Sequence, residues 1–143
     1  MSCIFCENPN IKARTIIEND EAFVFPTNIP IVPGHVLISP KRHVKKYEDL
    51  TASEKIAIEE LRVKIKDGLI KAFGAEGFNY AWNEADVAGQ SVPHFHLHML
   101  PRKAGDTGIY KYEPREFLYR PGSRMDSPEE ELIDIVGFIQ KFL

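Results

Sequence analysis

Three of the five histidines in this chain stand at alternate positions of one run, Gly89-Gln90-Ser91-Val92-Pro93-His94-Phe95-His96-Leu97-His98-Met99-Leu100-Pro101-Arg102. A β-strand turns successive side chains to opposite faces. As a strand, the run sets His94, His96 and His98 on one face. Phe95, Leu97 and Met99 form the other, which is wholly apolar. The expectation is a strand whose Phe/Leu/Met side packs on a core while its histidine side faces a site.

The chain has the size for such a core. Its 143 residues fit a single domain over 1–143. Apolar and charged fractions of 43% and 27% are those of an ordinary globular protein. The net charge of -3 gives no general attraction for nucleic acid or an anionic membrane, so any nucleotide must be held by a local site. No run approaches the ~18 apolar residues of a membrane span. The first residues also lack the segments of a signal peptide. Only two cysteines occur, Cys3 and Cys6, which fits a reduced cytoplasmic protein better than a disulfide scaffold.

β-Branched and aromatic runs predict strands over 15–18, 22–25, 35–39 and 78–82, with the histidine run as the last strand. Asn8-Pro9-Asn10 reads as a turn. Pro26, Pro30 and Pro33 hold 26–34 as an extended loop, because proline cannot sit in a central ladder. Lys41 to Lys46 is a basic connection and reads as a solvated turn. Thr51 and Glu54 form a capping box, opening a helix that runs to Phe73 and ends at Gly74. Its apolar stripe is Ile58, Leu61, Ile65, Leu69 and Phe73. Ser127-Pro128-Glu129-Glu130 repeats the capping box before a C-terminal helix carrying Leu132, Ile135, Val136, Ile139 and Phe142. Residues 103–127 show no clean period. The sum is an α+β domain: a mainly antiparallel sheet of about five strands, one long helix and a C-terminal helix.

A histidine face admits three readings. It can be a polar, partly exposed face without chemistry. It can bind metal, since imidazole is a ligand for zinc and copper. It can also do nucleophilic and acid–base work on phosphorus. The neighbours favour the last. Gly89 permits close backbone approach, and the Gln90 amide and Ser91 hydroxyl can donate to phosphoryl oxygens. Asn83 is another neutral donor on the same loop. Clustered donors suit an anion that gains charge during reaction, which a metal site alone does not need.

His94-Phe95-His96-Leu97-His98-Met99-Leu100 matches, at every position, the pattern His-φ-His-φ-His-φ-φ with φ hydrophobic. On this motif the chain resembles the histidine triad (HIT) family. The likeness extends to Ala88-Gly89-Gln90-Ser91-Val92 and to Leu100-Pro101-Arg102-Lys103-Ala104-Gly105-Asp106. A second block runs from Val32 to His43, and with Ile4-Phe5 the resemblance covers residues 3–106. The remainder, 107–143, is the variable part.

The resemblance implies hydrolysis or transfer of a nucleotide at its α-phosphate, on an adenylated substrate of the dinucleoside polyphosphate type. A phosphoramidase releasing AMP from an amine is the alternative. A nucleotide- or metal-binding module without turnover is the rival of another class. Carried over residue by residue, His96 is the nucleophile and forms a nucleotidyl-histidine. His98 contacts the α-phosphate and helps the leaving group, and His35 supports the triad from an adjacent strand. Gln90, Ser91 and Asn83 match residues near the phosphates. Ile4, Phe5 and Phe25 fall where the family lines its base pocket, usually for adenine, although core packing explains them too.

Two departures stand out. Many relatives hold the ribose with an Asp, where this chain has Thr27 and Asn28. The loop often reads Asn-x-Gly, where this chain has Asn83-Glu84-Ala85.

Cys3 and Cys6 alone are half a zinc site, a redox pair or two unconnected thiols. Some family members add a histidine after Pro-Lys-x and the first triad histidine. Those positions are His43 and His94 here, which implies one structural zinc per chain. The family also implies a homodimer through the long helix and the fourth strand. The stripe on residues 58–73 is compatible with this, but cannot serve both core and partner fully.

Overall fold

The computed structural model describes residues 3–106 and 126–143. The segment 107–125, part of the variable region, lies outside them.

Five strands form one antiparallel sheet: β1 (Ile17–Glu18), β2 (Ala22–Pro26), β3 (Val36–Pro40), β4 (Gly77–Ala81) and β5 (Leu97–Arg102), in the order β1-β2-β3-β5-β4. The period of two explains its two faces. Ala22, Val24, Val36, Ile38, Leu97 and Met99 join one buried cluster, while Phe23, Phe25 and Leu37 join another across the sheet. Central strands buried on both sides thus read as continuous apolar runs rather than alternating ones.

The long helix α3 (Ala52–Phe73) covers the first face. Its start is the expected capping box: Thr51 Oγ1 accepts the Glu54 amide, and Glu54 accepts the Thr51 amide. It ends at Gly74, whose φ of +67° supplies the left-handed turn. Ile58, Leu61, Ile65 and Leu69 are buried as the stripe requires, and Phe73 packs at its edge. Emptying one such position, as in Leu69→Ala, costs about 2–5 kcal/mol.

The C-terminal helix α4 (Glu129–Gln140) buries Leu132, and adds Val136 and Ile139 to the same cluster, with Ile135 partly buried against it. Its expected capping box does not form. Pro128 is extended and precedes the first helical residue, so Ser127 lies one position too early to cap. The Ser127 amide instead donates to the Asn28 carbonyl. Three carboxylates, Glu129 to Glu131, occupy the first turn and complement the helix dipole. Buried Arg14 pairs with Glu129 at 2.7 Å and fastens this end to the N-terminal segment.

That segment also departs from expectation. Residues 4–13 form two short helices, α1 (Ile4–Glu7) and α2 (Pro9–Ala13). Asn8 is the cap between them: its side chain accepts the Asn10 amide and Pro9 fills the first helical position. Asn-Pro marks a helix start here rather than a plain turn. Strand bounds shift slightly. Pro26 pairs with Val36 at the end of β2, and the paired part of the histidine run begins only at Leu97.

Candidate active site and metal-ligand cluster

β5 sits between β3 and β4, with His98 opposite Leu37 and Ala81. Phe95, Leu97 and Met99 are buried in the cluster under α3. The three histidines therefore emerge together on the opposite side, although His94 and His96 precede the ladder. The stretch before the ladder is fixed by the Phe95 amide on the Val44 carbonyl and by buried Ser39, whose hydroxyl donates to the Phe95 carbonyl.

A cleft of about 400 Å³ opens on this side. It is lined by His35, His96, His98, Asn83, Ser91, Thr27, Asn28, Ile4, Phe5 and Phe25, all singled out from the sequence. Ile11, Ile29, Ile31, Leu37, Gly89, Val92 and Leu100 complete it. Gly89, Val92 and Leu100 belong to the quoted motif, whereas Ile11, Ile29, Ile31 and Leu37 carry no chemical signal in the sequence and are recognisable only once the strands pair. Gln90 does not line the cleft. It is buried, its Nε2 donates to the Lys45 carbonyl, and its Oε1 accepts the Ala85 amide. Phe5 lies edge-on to Phe25 and to His96, and belongs to both the cleft and the second apolar cluster.

Hydrogen bonds fix the proton positions on the histidines. His96 Nδ1 lies 2.8 Å from the His94 carbonyl, which can only accept. Nδ1 therefore carries the proton and Nε2 keeps its lone pair. Burial, only partly opposed by that hydrogen bond, lowers the His96 pKa and favours the neutral ring.

A second chain orders His98. The Ile31 amide donates to His35 Nδ1 at 3.1 Å, so the proton of neutral His35 sits on Nε2. That nitrogen is 3.0 Å from His98 Nδ1, which must accept. The His98 proton is thereby assigned to Nε2. The relay depends on the turn that carries Ile31, closed by the His35 amide on the Val32 carbonyl. Gly34 makes this turn possible. Its φ is +88°, and an added Cβ would lie 2.8 Å from the Phe73 ring.

Cys3, Cys6, His43 and His94 converge beside the cleft, their ligand atoms all within 4.8 Å of one another. One helical turn brings the two thiols to the same side of α1. His94 Nε2 donates to the Pro40 carbonyl at 2.8 Å, which leaves Nδ1 as the ligating nitrogen. That Nδ1 is 3.4 Å from Cys3 Sγ, 3.5 Å from Cys6 Sγ and 3.3 Å from His43 Nδ1. Burial pushes the His94 pKa down to about 4, so the ring is neutral, as a ligand must be. Burial first, and then the Cys3 hydrogen bond, raises the Cys6 thiol to about 11. The group could hold a metal ion, which would displace that thiol proton.

Comparison with known proteins identifies the family. The family model of the HIT domain matches residues 8–105. An uncharacterised HIT-like protein of Mycoplasma genitalium is 37% identical over 103 residues, 71% of this chain and 73% of that protein. The bis(5'-adenosyl)-triphosphatase of Dictyostelium discoideum is 34% identical over 107 residues, 72% of each. Among solved structures, the diadenosine triphosphate hydrolase of Plasmodium falciparum superposes with a TM-score of 0.74 at 25% identity, covering 92% of this chain and 76% of that one. The chain belongs to the histidine triad family.

Proposed function

We propose that the chain is a nucleotide hydrolase or nucleotidyltransferase that cleaves an adenylated substrate of the dinucleoside polyphosphate type at its α-phosphate. The observation that carries this is the Nδ1–H of His96 on the His94 carbonyl, which leaves the Nε2 lone pair of a cleft-lining ring for attack. In the first step Nε2 bonds to the α-phosphorus and the bond to the polyphosphate oxygen breaks. The positive charge on the substituted ring is shared with the His94 carbonyl through Nδ1–H. In the second step water attacks phosphorus, Nε2 leaves with its electron pair, and the water proton goes to solvent.

His98 donates Nε2–H to the oxygens that gain charge. With its Nδ1 accepting from His35 Nε2, His98 offers Nε2–H as a hydrogen-bond donor rather than as a source of a whole proton. A polyphosphate can depart without one, whereas an amine cannot. This favours the anhydride substrate over the phosphoramidate. Ser91 and Asn83 approach the phosphates. Asn83 Nδ2 donates one hydrogen to the Gly89 carbonyl and has a second for a phosphate oxygen, while its Oδ1, buried without a partner among the described residues, can accept only from a hydroxyl or other donor of a bound molecule. Ile4, Phe5 and Phe25 take the adenine, and Thr27 or Asn28 the ribose hydroxyls.

The metal is zinc, held structurally by Cys3, Cys6, His43 and His94. Tetrahedral zinc, with bonds of about 2.3 Å to sulfur and about 2.0 Å to nitrogen, sets its ligand atoms roughly 3.3–3.8 Å apart. Four of the six separations, 3.3, 3.4, 3.5 and 3.6 Å, lie in that range, and the other two are within 4.8 Å. Bound there, zinc ties α1 to the segments after β3 and before β5. Two copies pair through α3 and the edge strand β4, where Ile56, Val63, Ile70 and Tyr80 are exposed, as is Trp82 just after β4. The chain acts in the cytoplasm; no described helix is long and apolar enough to cross a membrane.

The test is incubation with diadenosine tetraphosphate and, separately, an AMP-amine conjugate, with products followed over time. The proposal expects AMP and ATP from the first, faster than AMP from the second. Binding without products above the blank would identify a module without turnover.

A further inference from the structure

Ala85 has a φ of +71° and a ψ of 159°. This is backbone that glycine adopts freely and that an L side chain adopts only at a cost. It is the only non-glycine residue with positive φ among the described residues. The loop that contains it carries Asn83, Gly89 and Ser91 to the cleft.

Strained backbone persists where its surroundings over-determine it. At Ala85 the Ala88 amide donates to the carbonyl at 3.0 Å, a bond internal to the loop, and the holds on both its amide and its carbonyl come from Gln90. Gln90 Oε1 accepts the Ala85 amide at 3.0 Å, and the Gln90 amide donates to the Ala85 carbonyl at 3.2 Å. At the other end of the Gln90 amide, Nε2 donates to the Lys45 carbonyl at 3.1 Å. A main-chain amide requires the oxygen and a main-chain carbonyl requires the nitrogen, so the side-chain orientation is fixed. Both ends of a buried side chain are thus committed to backbone.

We propose that Gln90 is a positioning residue: it clamps Ala85 in the glycine-type conformation and so places Asn83 and Ser91 at the phosphates. Its side chain takes no direct part in holding phosphoryl oxygens. The Lys45 anchor fastens the loop to the connection that bears His43, so the clamp has a fixed point outside the loop. The catalytic half of this inference rests on the hydrolase reading above; the structural half does not.

The experiment is a substitution cycle on the full chain, with Gln90→Met, Ala85→Gly and the pair. Methionine keeps the volume and removes both side-chain hydrogen bonds. Melting temperature is read first, then kcat and KM for diadenosine tetraphosphate well below melting. Gln90→Met should lower the melting temperature and reduce kcat roughly 10²-fold, the scale of a small misplacement at a reacting centre. Ala85→Gly alone should raise the melting temperature and retain activity. Added to Gln90→Met, it should recover a large share of both losses.

Additive melting shifts overturn the clamp whether or not the chain turns over substrate. Coupled melting with a kcat loss that Ala85→Gly leaves untouched gives Gln90 to the substrate and overturns the positioning role. If the parent chain has no turnover, the hydrolase reading falls, and coupled melting still supports the clamp.

Discussion

The main chain of His94 holds His96: its carbonyl accepts the His96 Nδ1–H at 2.8 Å, while its own ring faces Cys3, Cys6 and His43. One residue therefore joins the metal-ligand cluster to the proposed nucleophile. Its ring is fixed from behind by the Pro40 carbonyl.

This connection makes a prediction about the metal. Purified without chelator, the protein should carry about one zinc per chain. Cys6→Ser or prolonged chelation should lower both the melting temperature and kcat, with KM less affected, because His96 loses its fixed orientation. Since the Cys6 thiol is raised to about 11, metal binding releases protons and its affinity rises with pH. Competition titrations should find tighter zinc at the more alkaline pH. Equal affinity across neutral pH would contradict the thiolate assignment.

His98→Asn removes the proposed donor to the phosphoryl group. kcat for diadenosine tetraphosphate should fall about 10²–10³-fold, the usual loss for one such donor. The far-ultraviolet spectrum should be unchanged, since His98 is not in the apolar core. A KM effect alone would place His98 in ground-state binding instead.

The start of α3 sets a stability prediction. Thr51→Ala removes the cap and should cost about 1 kcal/mol in denaturant unfolding. Glu54 accepts two hydrogen bonds from Arg42 and one from the Thr51 amide, and Arg42 chiefly holds its pKa below the ordinary carboxylate value. A group with a depressed folded pKa stabilises above its unfolded value, and that stability is lost as pH falls through the folded value. The parent should therefore be more stable than Glu54→Gln at neutral pH, and the gap should close as pH drops below about 4. A gap independent of pH would contradict the ionised pair.

The exposed residues on α3 fall at intervals of seven, Ile56, Val63 and Ile70, apart from the buried stripe. The helix thus carries an exposed apolar row apart from its core face, and the proposed dimer would use it. Light scattering at micromolar concentration should give a dimer, and Val63→Glu should give a monomer. A monomeric parent would remove the pairing through α3 and β4.

Much of this was legible because it rests on local rules. Alternation placed Phe95, Leu97 and Met99 in the core opposite the histidines, and the Thr51 and Gly74 signals bounded α3 at the observed residues. The four candidate metal ligands were found through motif likeness, and the fold brings them together. What escaped rests on partners distant in sequence or on backbone groups. No pattern marks the Pro40, His94 or Lys45 carbonyls as acceptors, nor the Ile31 amide that orders His35 and His98. The Ser127 box failed because one extended proline moved the helix start beyond reach. At 83–85, where relatives often read Asn-x-Gly, this chain has Asn83-Glu84-Ala85. The structure keeps the glycine-type backbone with alanine in place, held by Gln90.

The central claim is covalent chemistry at His96, and it can be read directly. Protein mixed with diadenosine tetraphosphate and quenched within the first turnover should gain the mass of one adenylyl group, located on the peptide bearing His96. His96→Ala should show no adduct and no turnover while remaining folded at the assay temperature. An adduct on another residue, or full turnover by His96→Ala, would contradict the account.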